Sequence, residues 1–449
     1  MHIFTFLNKN VKLEILNIKF MRIIADLHIH SKYSRACSKE LTLPNIDLWC
    51  QYKGINLVVT SDFTHPEWLK HIKSSLEPIG NGLFKLKSNL RTRRSDSQIA
   101  SSGTRDTQFI LGTEVSCIYK QGDKCRRIHL NIYFPEIKNV EEFNQTLGKA
   151  GCNLKSDGRP ILGLSAIQIA EIVFNINAKA IIIPAHAWTP WFSIFGSKSG
   201  FDSIEECFDI YTPYIYAIET GLSSDPAMNW RLSALDNILL VSNSDAHSLP
   251  NLGREANVFE WEQPSYDEFY NTLKNRDKAK FKYTIEFYPE EGKYHFDGHA
   301  KCGISMEPEE TKRNKGICPK CKKPLILGVS YRVSELADRK SNIAKDKIPY
   351  KSLVPLQEII AESFNVGKGS KRVQDEYFSM IKKGGSEFEI LLDKEMDELK
   401  EITEPEVVEA VKRVRAGKLH IEPGYDGIYG KVRIYKNDEE RGSVQKSLI

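Results

Sequence analysis

The sequence predicts an α/β protein with a barrel as its main domain, and three observations support this fold class. Over residues 21–290, short apolar runs that end in a polar or charged residue alternate with helical patterns, which is typical of parallel strands buried on both faces. Cysteine and histidine cluster over residues 291–330, and residues 331–449 have mainly helical periodicity. The expected order is therefore a barrel, a small zinc-binding module and a helical tail.

The predicted barrel strands are near-continuous apolar runs of the first domain. They include Ile55–Thr60, Phe109–Thr113, His129–Phe134, Ala180–Pro184, Ile215–Glu219 and Ile238–Ser242. Helical patterns such as Ala166–Asn175 lie between several of them. Because chemistry in α/β barrels collects at the carboxyl ends of the strands, functional side chains are expected there.

Composition limits the class of protein. The chain has 449 residues, 41% of them hydrophobic and 27% charged, which is ordinary for a globular protein of two or three domains. No apolar run approaches the ~20 residues of a membrane span. Nine cysteines in a chain of this length do not make a disulfide scaffold and point to a reducing compartment, so we expect a cytoplasmic protein without a membrane partner.

Two segments fall outside this pattern. Residues 1–20 lack the layout of a signal peptide and are expected to form a leader, disordered if the true start is Met21. Residues 85–108 hold six Lys or Arg and little apolar content, which predicts a mobile basic insertion in the barrel. The net charge of +4 comes from residues 301–449, and this mildly basic tail is compatible with nucleic-acid binding without requiring it.

The strongest chemical signal is the run Asp26-Leu27-His28-Ile29-His30. In a strand, residues two apart point to the same face, so both imidazoles project together. Similar metal-ligand side chains follow other predicted strands: Asp62, His65, Glu114, His129, His186, Asp245 and His247. A lone histidine is usually a satisfied core or surface group, but their recurrence after successive strands predicts a metal cluster at the barrel mouth.

The spacing of these residues resembles the polymerase-and-histidinol-phosphatase (PHP) superfamily, whose members are distorted (β/α)7-type barrels that hydrolyse phosphoesters with two or three metal ions. The resemblance implies that His28, His30, Glu114 and Asp245 surround one ion. It implies that Glu114, His129 and His186 surround another, with His247 at the edge of the cluster. Zn, Mg and Mn are the metals expected.

This chain departs from the superfamily pattern in two places. A further histidine usually follows the opening motif, where Tyr33 or Ser34 stands here, and Phe63 occupies another position that is usually histidine. A third metal site is therefore either missing or rebuilt with Asp62 or His65.

Longer segments resemble the endonuclease Q family of DNA repair enzymes within this superfamily. They are residues 189–207, residues 219–226, residues 252–257 and the cysteine module. The resemblance implies a prokaryotic, nucleoid-associated enzyme that cuts the phosphodiester 5′ to a deaminated base (uracil, hypoxanthine or xanthine) or an abasic site. It would leave a 3′-hydroxyl and a 5′-phosphate by means of a metal-activated water. Asp245, Glu114 and His186 are the expected catalytic residues.

The expected partner is double- or single-stranded DNA with a damaged base, and a sliding clamp is a further candidate. We expect a monomer. Two alternatives remain open: a small-molecule phosphoesterase of the same superfamily, and a DNA-binding adaptor whose barrel is inactive. The zinc module and helical tail argue against the first, and the intact ligand set argues against the second.

An aromatic loop, residues 188–195, follows the predicted strand Ala180–Pro184. Its aromatic residues would form either part of the core or a stacking wall for an extruded base, because enzymes that act at one damaged base usually flip it. The predicted base pocket consists of Trp188, Trp191, Phe192, Ser193, Phe195, Gly196, Ser197 and Lys198. Lys198 is also suited to phosphate charge.

The cysteine module has the spacing of a tetrahedral zinc site. His299 and Cys302 are followed, after fifteen intervening residues, by Cys318 and Cys321. His295 is the rival fourth ligand. Four filled positions leave no open coordination site, so the predicted zinc is structural.

The tail contains a sequence typical of a helix–hairpin–helix DNA clamp. Residues 365–372 place two glycines between predicted helices Leu353–Phe364 and Val373–Lys382. A third predicted helix, Glu404–Arg415, follows Thr403 as its predicted N-cap, with Pro405 at the first position. The predicted contacts to the DNA backbone are Lys368, Ser370, Lys371, Arg372, Lys412 and Arg413.

Overall fold

The computed structural model describes residues 20–91, 106–339 and 346–436. These residues form seventeen strands and thirteen α-helices. The strands are β1 (Met21–Asp26), β2 (Leu57–Val59), β3 (Leu76–Pro78), β4 (Phe84–Leu86), β5 (Gln108–Gln121), β6 (Lys124–Phe134), β7 (Ile161–Leu162), β8 (Ile181–Pro184), β9 (Ala217–Glu219), β10 (Leu239–Val241), β11 (Ala256–Trp261), β12 (Phe281–Glu286), β13 (Asp297–His299), β14 (Ile304–Met306), β15 (Tyr350–Ser352), β16 (His420–Glu422) and β17 (Lys431–Arg433). The helices are α1 (Leu43–Lys53), α2 (Pro66–Ser75), α3 (Ile137–Lys149), α4 (Ala166–Ile176), α5 (Ile204–Phe208), α6 (Pro226–Asn229), α7 (Tyr266–Lys274), α8 (Pro308–Arg313), α9 (Val329–Leu336), α10 (Leu356–Ser363), α11 (Lys371–Gly384), α12 (Met396–Lys400) and α13 (Pro405–Arg415).

Seven strands form the barrel, in the order β1-β2-β5-β6-β8-β9-β10. The pairs β1–β2, β2–β5 and β9–β10 are parallel. The Ala187 N–H donates to the Glu219 carbonyl at 2.9 Å, which joins β8 to β9. The ring is completed where the Asp245 N–H donates to the carbonyl of His28 at 2.8 Å. This is the α/β barrel that the sequence predicts.

One barrel strand runs against the prediction of parallel strands. Strand β6 is antiparallel to both β5 and β8, because β5 and β6 form a long hairpin that turns at residues 122–123. Gly122 has φ +59°, a left-handed conformation that glycine adopts without the steric cost of a Cβ atom. His129 therefore lies within an antiparallel strand instead of at the end of a parallel one.

The predicted mobile insertion is partly ordered. Its first residues belong to β4, which pairs antiparallel with both β3 and β5 and buries Phe84 and Leu86 against the barrel. The prediction is therefore wrong for Lys85–Leu86, because the two buried apolar side chains hold this stretch on the sheet. Residues 92–105 lie outside the described part of the chain, as does most of the predicted leader.

The barrel and the C-terminal helices share one continuous hydrophobic core. Helices α10, α11 and α13 pack together and onto the barrel. Within this contact, the buried Lys53 ammonium lies 2.7 Å from the Glu387 carboxylate. By contrast, the cysteine module has a separate core with only Met306, Cys318 and Leu325 buried among the described residues. A core this small favours an additional support such as a bound metal.

Most predicted tail elements agree with the observed ones to within a few residues. The predicted capping residue Thr403 is the exception, since α13 begins at Pro405 with Glu404 preceding it and no side-chain cap. Across the described residues, every helix is too short or too polar to cross a lipid bilayer.

Candidate metal centre

The ligand residues at the barrel mouth come from five different segments of the chain. The bridge between Ile29 and Ala246 holds the opening motif against the closing one, so the end of β1 and the loop after β10 meet. His186 and Asp245 have φ values of +29° and +45°, unusual for non-glycine residues, at the point where the chain turns sharply after a strand. Gly221 allows this approach, because a Cβ atom there would lie 2.6 Å from the His186 Cβ.

Glu114 is the centre of the cluster. Its side chain is fully buried, and its Oε1 lies 2.7 Å from His129 Nδ1 and 3.2 Å from His186 Nε2. Its Oε2 lies 3.2 Å from His30 Nε2 and 3.4 Å from His28 Nε2. One carboxylate thus faces two groups of imidazoles, which is the arrangement of a bridging ligand between two metal ions.

The last ligands come from the loop after β10. Asp245 Oδ1 lies 3.0 Å from His30 Nε2 and 3.6 Å from His247 Nδ1. Three groups of ligand atoms therefore converge at the mouth: His28, His30 and Glu114; His30, Asp245 and His247; and Glu114, His129 and His186.

The donor atoms fit divalent cations. His28 Nε2, His30 Nε2 and Asp245 Oδ1 are buried and make no hydrogen bond of acceptable geometry within the described residues. Buried polar atoms are normally satisfied, so donors left open together favour a bound ion. Imidazole and carboxylate suit Zn²⁺ and other divalent transition metals.

The electrostatics of the cluster point the same way. Burial disfavours a charged imidazole, but the carboxylates of Glu219, Glu114 and Asp245 outweigh it and raise the pKa of His28 well above its usual value. Burial likewise opposes ionisation of Asp245, but His28 and His30 hold its pKa below the usual range. The site thus attracts positive charge strongly, which divalent cations also provide.

Two predicted ligands lie apart from these groups. Both Oδ atoms of Asp62 are occupied: Oδ2 accepts from the Ser31 N–H at 2.8 Å and the Ser34 hydroxyl at 2.7 Å, and Oδ1 lies 3.3 Å from His30 Nδ1. Asp62 thus orients His30 from behind. His65 stacks on Tyr33 with ring centroids 4.3 Å apart. Neither belongs to a group of converging ligand atoms among the described residues.

Two residues of the site were not among the predicted ligands or catalytic residues, although Glu219 stands at the end of a predicted strand. Glu219 accepts hydrogen bonds from His28 Nδ1 at 2.9 Å and from Asn131 at 3.0 Å; its position at the end of an apolar run was the available signal. Arg159 Nη1 lies 3.0 Å from Glu114 Oε2, and its side chain is 26% exposed. No local pattern marks Arg159, which stands in the loop that precedes the short strand β7.

The aromatic loop divides into core and surface residues. Trp188, Ser193 and Phe195 are buried, and Trp188 donates to Asn229 Oδ1 at 2.7 Å, so the prediction that these three line a base pocket is not supported by their position. Trp191 is 41% exposed. The Phe192 ring lies 4.8 Å from the ring of His129, next to the ligand cluster.

A pocket of about 510 Å³ opens beside this loop. Its aromatic lining residues are Trp191, Phe192, Tyr294 and Tyr429, and the rings of Trp191 and Tyr294 meet edge to face with centroids 6.1 Å apart. Gly196, Ser197 and Lys198 line a different cavity on the far side of Trp191. The predicted base-pocket residues are thus split between two cavities and the core.

The cysteine module brings its predicted ligands together. His299, Cys302, Cys318 and Cys321 place their ligand atoms within 4.8 Å of one another. Burial opposes the thiolate of Cys318, but N–H groups of Cys321 and Lys320 outweigh it and lower its pKa to about 6. His295 lies outside the group, with its Nε2 3.2 Å from the Ser330 hydroxyl. His295 is therefore not the fourth ligand of this group; His299 takes that position.

The fold and the ligand cluster define the class: this is a PHP-type α/β barrel with a metal centre. A family model described as the MJ0043 C-terminal domain matches residues 355–418. An uncharacterized protein, MJ0043 of Methanocaldococcus jannaschii, is 36% identical over 256 residues, which are 55% of this chain and 31% of that protein. The chain therefore spans about a third of that relative's length.

Two further comparisons cover nearly the whole chain. An uncharacterized protein of Bacillus subtilis, YqxK, is 30% identical over 92% of this chain and 99% of that protein. The crystal structure of the lesion-specific endonuclease PfuEndoQ of Pyrococcus furiosus has a TM-score of 0.79 at 33% identity, covering 93% of this chain and 96% of that one. An endonuclease Q bound to a 27-mer duplex substrate with an abasic lesion has a TM-score of 0.78 at 34% identity, covering 93% and 97%. The chain belongs to the endonuclease Q family of metal-dependent endodeoxyribonucleases.

Proposed function

We propose that the protein cuts a DNA strand on the 5′ side of a deaminated base or an abasic site and leaves a 3′-hydroxyl and a 5′-phosphate. The observation that carries the proposal is the cluster of open ligand atoms around Glu114 beside an aromatic-walled pocket. The similarity to an endonuclease Q bound to duplex DNA with an abasic lesion supports the choice of substrate.

The ligand groups suit two adjacent divalent cations, bridged by Glu114. His28, His30 and Glu114 would hold one ion, and Glu114, His129 and His186 another, with Asp245 and His247 as further ligands beside His30. Such ions supply charge neutralisation of the phosphodiester and activation of water. Asp245 is 23% exposed, and we propose it as the indispensable carboxylate because it would be a ligand of the metal centre open to substrate.

Arg159 adds a fixed positive charge to the site. Its guanidinium lies 3.0 Å from the Glu114 carboxylate, and its side chain is 26% exposed. A phosphodiester oxygen bound beside Glu114 would lie close to this guanidinium. We therefore propose that Arg159 stabilises the charge that develops on phosphorus oxygens during cleavage.

The flipped nucleotide would enter the pocket between Trp191, Phe192, Tyr294 and Tyr429. A volume of about 510 Å³ and aromatic walls suit a base, and an abasic site would leave the pocket unfilled. Phe192 separates this pocket from His129 and so from the ligand cluster. The pocket is thus adjacent to the site where the bond would be cut.

The zinc module and the hairpin between α10 and α11 would hold the duplex. Cβ atoms built on Gly367 and Gly369 would meet nothing within 4 Å, so a DNA backbone can approach the hairpin closely. Ser370 caps α11, and Lys371 lies in its exposed first turn. The other proposed contacts already have protein partners: Lys368 with Glu358, Arg372 with Glu404 and the Phe364 ring, Lys412 and Arg413 with Glu409. Weaker contributions are expected from these four.

Incision assays with Mg²⁺ or Mn²⁺ test the proposal. Labelled duplexes that carry one uracil, hypoxanthine or abasic site are compared with an undamaged duplex, and the ends of the products are identified. Specific incision 5′ to the lesion is expected, with loss of cutting in Asp245→Asn. The matched control is Asp267→Asn, which removes a carboxylate 62% exposed on the surface. Hydrolysis of p-nitrophenyl phosphate without any DNA incision would instead favour a small-molecule phosphoesterase.

Zinc content tests the structural site separately. About one equivalent of zinc is expected to remain after the barrel metals are removed by mild chelation, and to be lost in Cys318→Ser together with thermal stability. Full zinc content in Cys318→Ser would contradict the proposed ligand set.

A further inference from the structure

A second cavity, of about 660 Å³, lies on the far side of Trp191 from the aromatic pocket. It is bordered by β6, by the loop at residues 196–202 and by α9. Its charged lining consists of five cations and two carboxylates: Lys124, Arg126, Arg127, Lys198, Arg332, Asp202 and Glu335. We call this surface the basic cavity.

Two of the cations, Arg332 and Arg126, are bonded to protein groups that line the basic cavity. Arg332 pairs with both Asp202 and Glu335 and also donates to the carbonyls of Phe195 and Phe201, so it neutralises the acidic residues of the lining. Arg126 donates to the Gly200 carbonyl and stacks on the Phe201 ring at 3.9 Å. These contacts fasten the loop to β6 and α9 and keep the cavity open.

Three cations remain without an ion pair among the described residues. Lys124 on β6 and Lys198 on the loop at residues 196–202 are exposed, and Arg127 is half-buried in the same lining. The Arg127 Cζ atom lies 6.0 Å from the Phe192 ring, which in turn lies 4.8 Å from the ring of His129. Arg127 therefore stands near the ligand cluster, and Lys124 lies further along the same strand, at the start of β6.

We infer that Lys124, Arg127 and Lys198 bind the phosphodiester backbone of the DNA strand that is cut, at nucleotides flanking the one at the metal centre. This inference rests on the proposed function. A spread of unpaired cations in an open cavity suits a polyanion better than one small anion, which would need converging donors. Trp191 stands between the basic cavity and the aromatic pocket, so a base and the backbone that flanks it can occupy the two sides.

The test is the salt dependence of DNA binding. The triple variant Lys124→Ala/Arg127→Ala/Lys198→Ala is compared with wild type, using a fluorescent duplex that carries a tetrahydrofuran abasic analogue, in EDTA so that no cleavage occurs. Each lost phosphate contact lowers the slope of log K against log salt by about 0.9, so a decrease of roughly 2 to 3 is expected. At saturating DNA with Mg²⁺, kcat should stay unchanged while KM rises about tenfold or more.

The matched control removes the same charge elsewhere. Lys138→Ala/Lys179→Ala/Lys400→Ala deletes three lysines whose side chains are 72%, 55% and 61% exposed and far from the barrel mouth in the fold. Its salt slope should equal that of the wild type. Thermal unfolding of both variants checks that they fold.

Equal slopes in the two triple variants would overturn the inference, because the effect would then come from total charge. A salt slope in the cavity variant equal to that of the wild type would also overturn the inference. So would displacement of the duplex from the wild type by millimolar inorganic phosphate at constant ionic strength, because the cavity would then be a site for one small anion. The wild type could show a steeper salt slope than the cavity variant and yet make no incision. The proposed function would then be wrong, and the inferred DNA-binding site would still be supported.

Discussion

The Nδ1 atom of His28 lies 2.9 Å from Oε2 of Glu219, and both side chains are fully enclosed by the barrel. Glu219 also accepts hydrogen bonds from the Asn131 side chain and from the N–H of His186. In all three contacts the carboxylate is the acceptor. A proton on Nδ1 leaves Nε2 of His28 free to face the ligand cluster. Glu219 thus fixes the orientation of the opening histidine.

Replacement of Glu219 by Gln should weaken metal binding. The amide cannot accept from all three donors, and we expect about a 10- to 100-fold loss of affinity for Mn²⁺ or Zn²⁺ in a calorimetric titration. Glu260→Gln is the control, because Glu260 pairs with Lys282 on the outer surface. Unchanged affinity in Glu219→Gln would show that His28 needs no carboxylate behind it.

Arg159→Ala should lower kcat by about 100-fold with little change in metal content, because a cation that meets developing charge acts in the transition state. Arg159→Lys should recover part of the loss. Rapid-quench incision assays and metal analysis of the same preparations measure the two quantities. A loss of metal with an otherwise normal rate in the reloaded enzyme would mean that Arg159 serves only to neutralise Glu114.

Stability should depend on pH through a carboxylate behind the metal centre. Burial raises the pKa of Glu286 to about 8, although the hydroxyl of Thr284 and that of Thr220, at 3.0 Å, favour the charged form. The folded protein then binds more protons than the unfolded chain between about pH 4.5 and about 8. The free energy of unfolding should therefore fall as pH rises through this window, by up to roughly 1.4 kcal/mol per pH unit.

Urea unfolding at a series of pH values measures this dependence. Glu286→Gln should flatten it, since an amide has the shape of the protonated carboxyl group, likewise pairs an acceptor oxygen with a donor group, and does not ionise. The neighbouring Glu255 is also buried with a raised pKa, so some dependence should persist. If the free energy of unfolding changes with pH as steeply in Glu286→Gln as in the wild type, other groups cause the pH dependence.

Lys53→Met should destabilise the junction of barrel and tail. Lys53 and Glu387 are 3% and 5% exposed, and Glu387 also accepts from the Tyr377 hydroxyl at 2.9 Å. Removing one partner leaves a buried charge uncompensated, which costs about 3–5 kcal/mol. Denaturant unfolding of Lys53→Met and of the wild type measures this loss in the free energy of unfolding.

The surface pair of Lys73 and Glu141, both near half exposed, is the control for Lys53. Lys73→Ala should change stability by about 1 kcal/mol or less. Similar effects of the two variants would mean that water reaches the Lys53 site.

Local patterns were sufficient to predict much of the metal centre. Strand-end residues such as His28 and Asp245 converge because parallel barrel strands bring their carboxyl ends to one mouth. The zinc ligands were predictable because their spacing is nearly local. Arg159 could not be predicted, since its contact with Glu114 joins segments 45 residues apart and leaves no periodic signal.

The aromatic loop shows the limit of residue type as evidence. Trp188 and Phe195 have the composition of a stacking wall, but both are packed inside the loop with ring centroids 4.9 Å apart. Trp191 and Phe192, in the same run, reach the pocket. Only packing against the rest of the fold distinguishes these pairs, because burial is not a property of a short sequence.

The sequence by itself determined the α/β barrel, its strand-end ligands and the order of the three parts, because hydrophobic periodicity and ligand spacing are local. The tertiary structure decided that β6 runs antiparallel, that Asp62 supports His30 from behind, and that the aromatic run is divided between core and pockets. These outcomes depend on which distant segments pack together. Side-chain packing and long-range hydrogen bonds set them, and no pattern within a single segment records either.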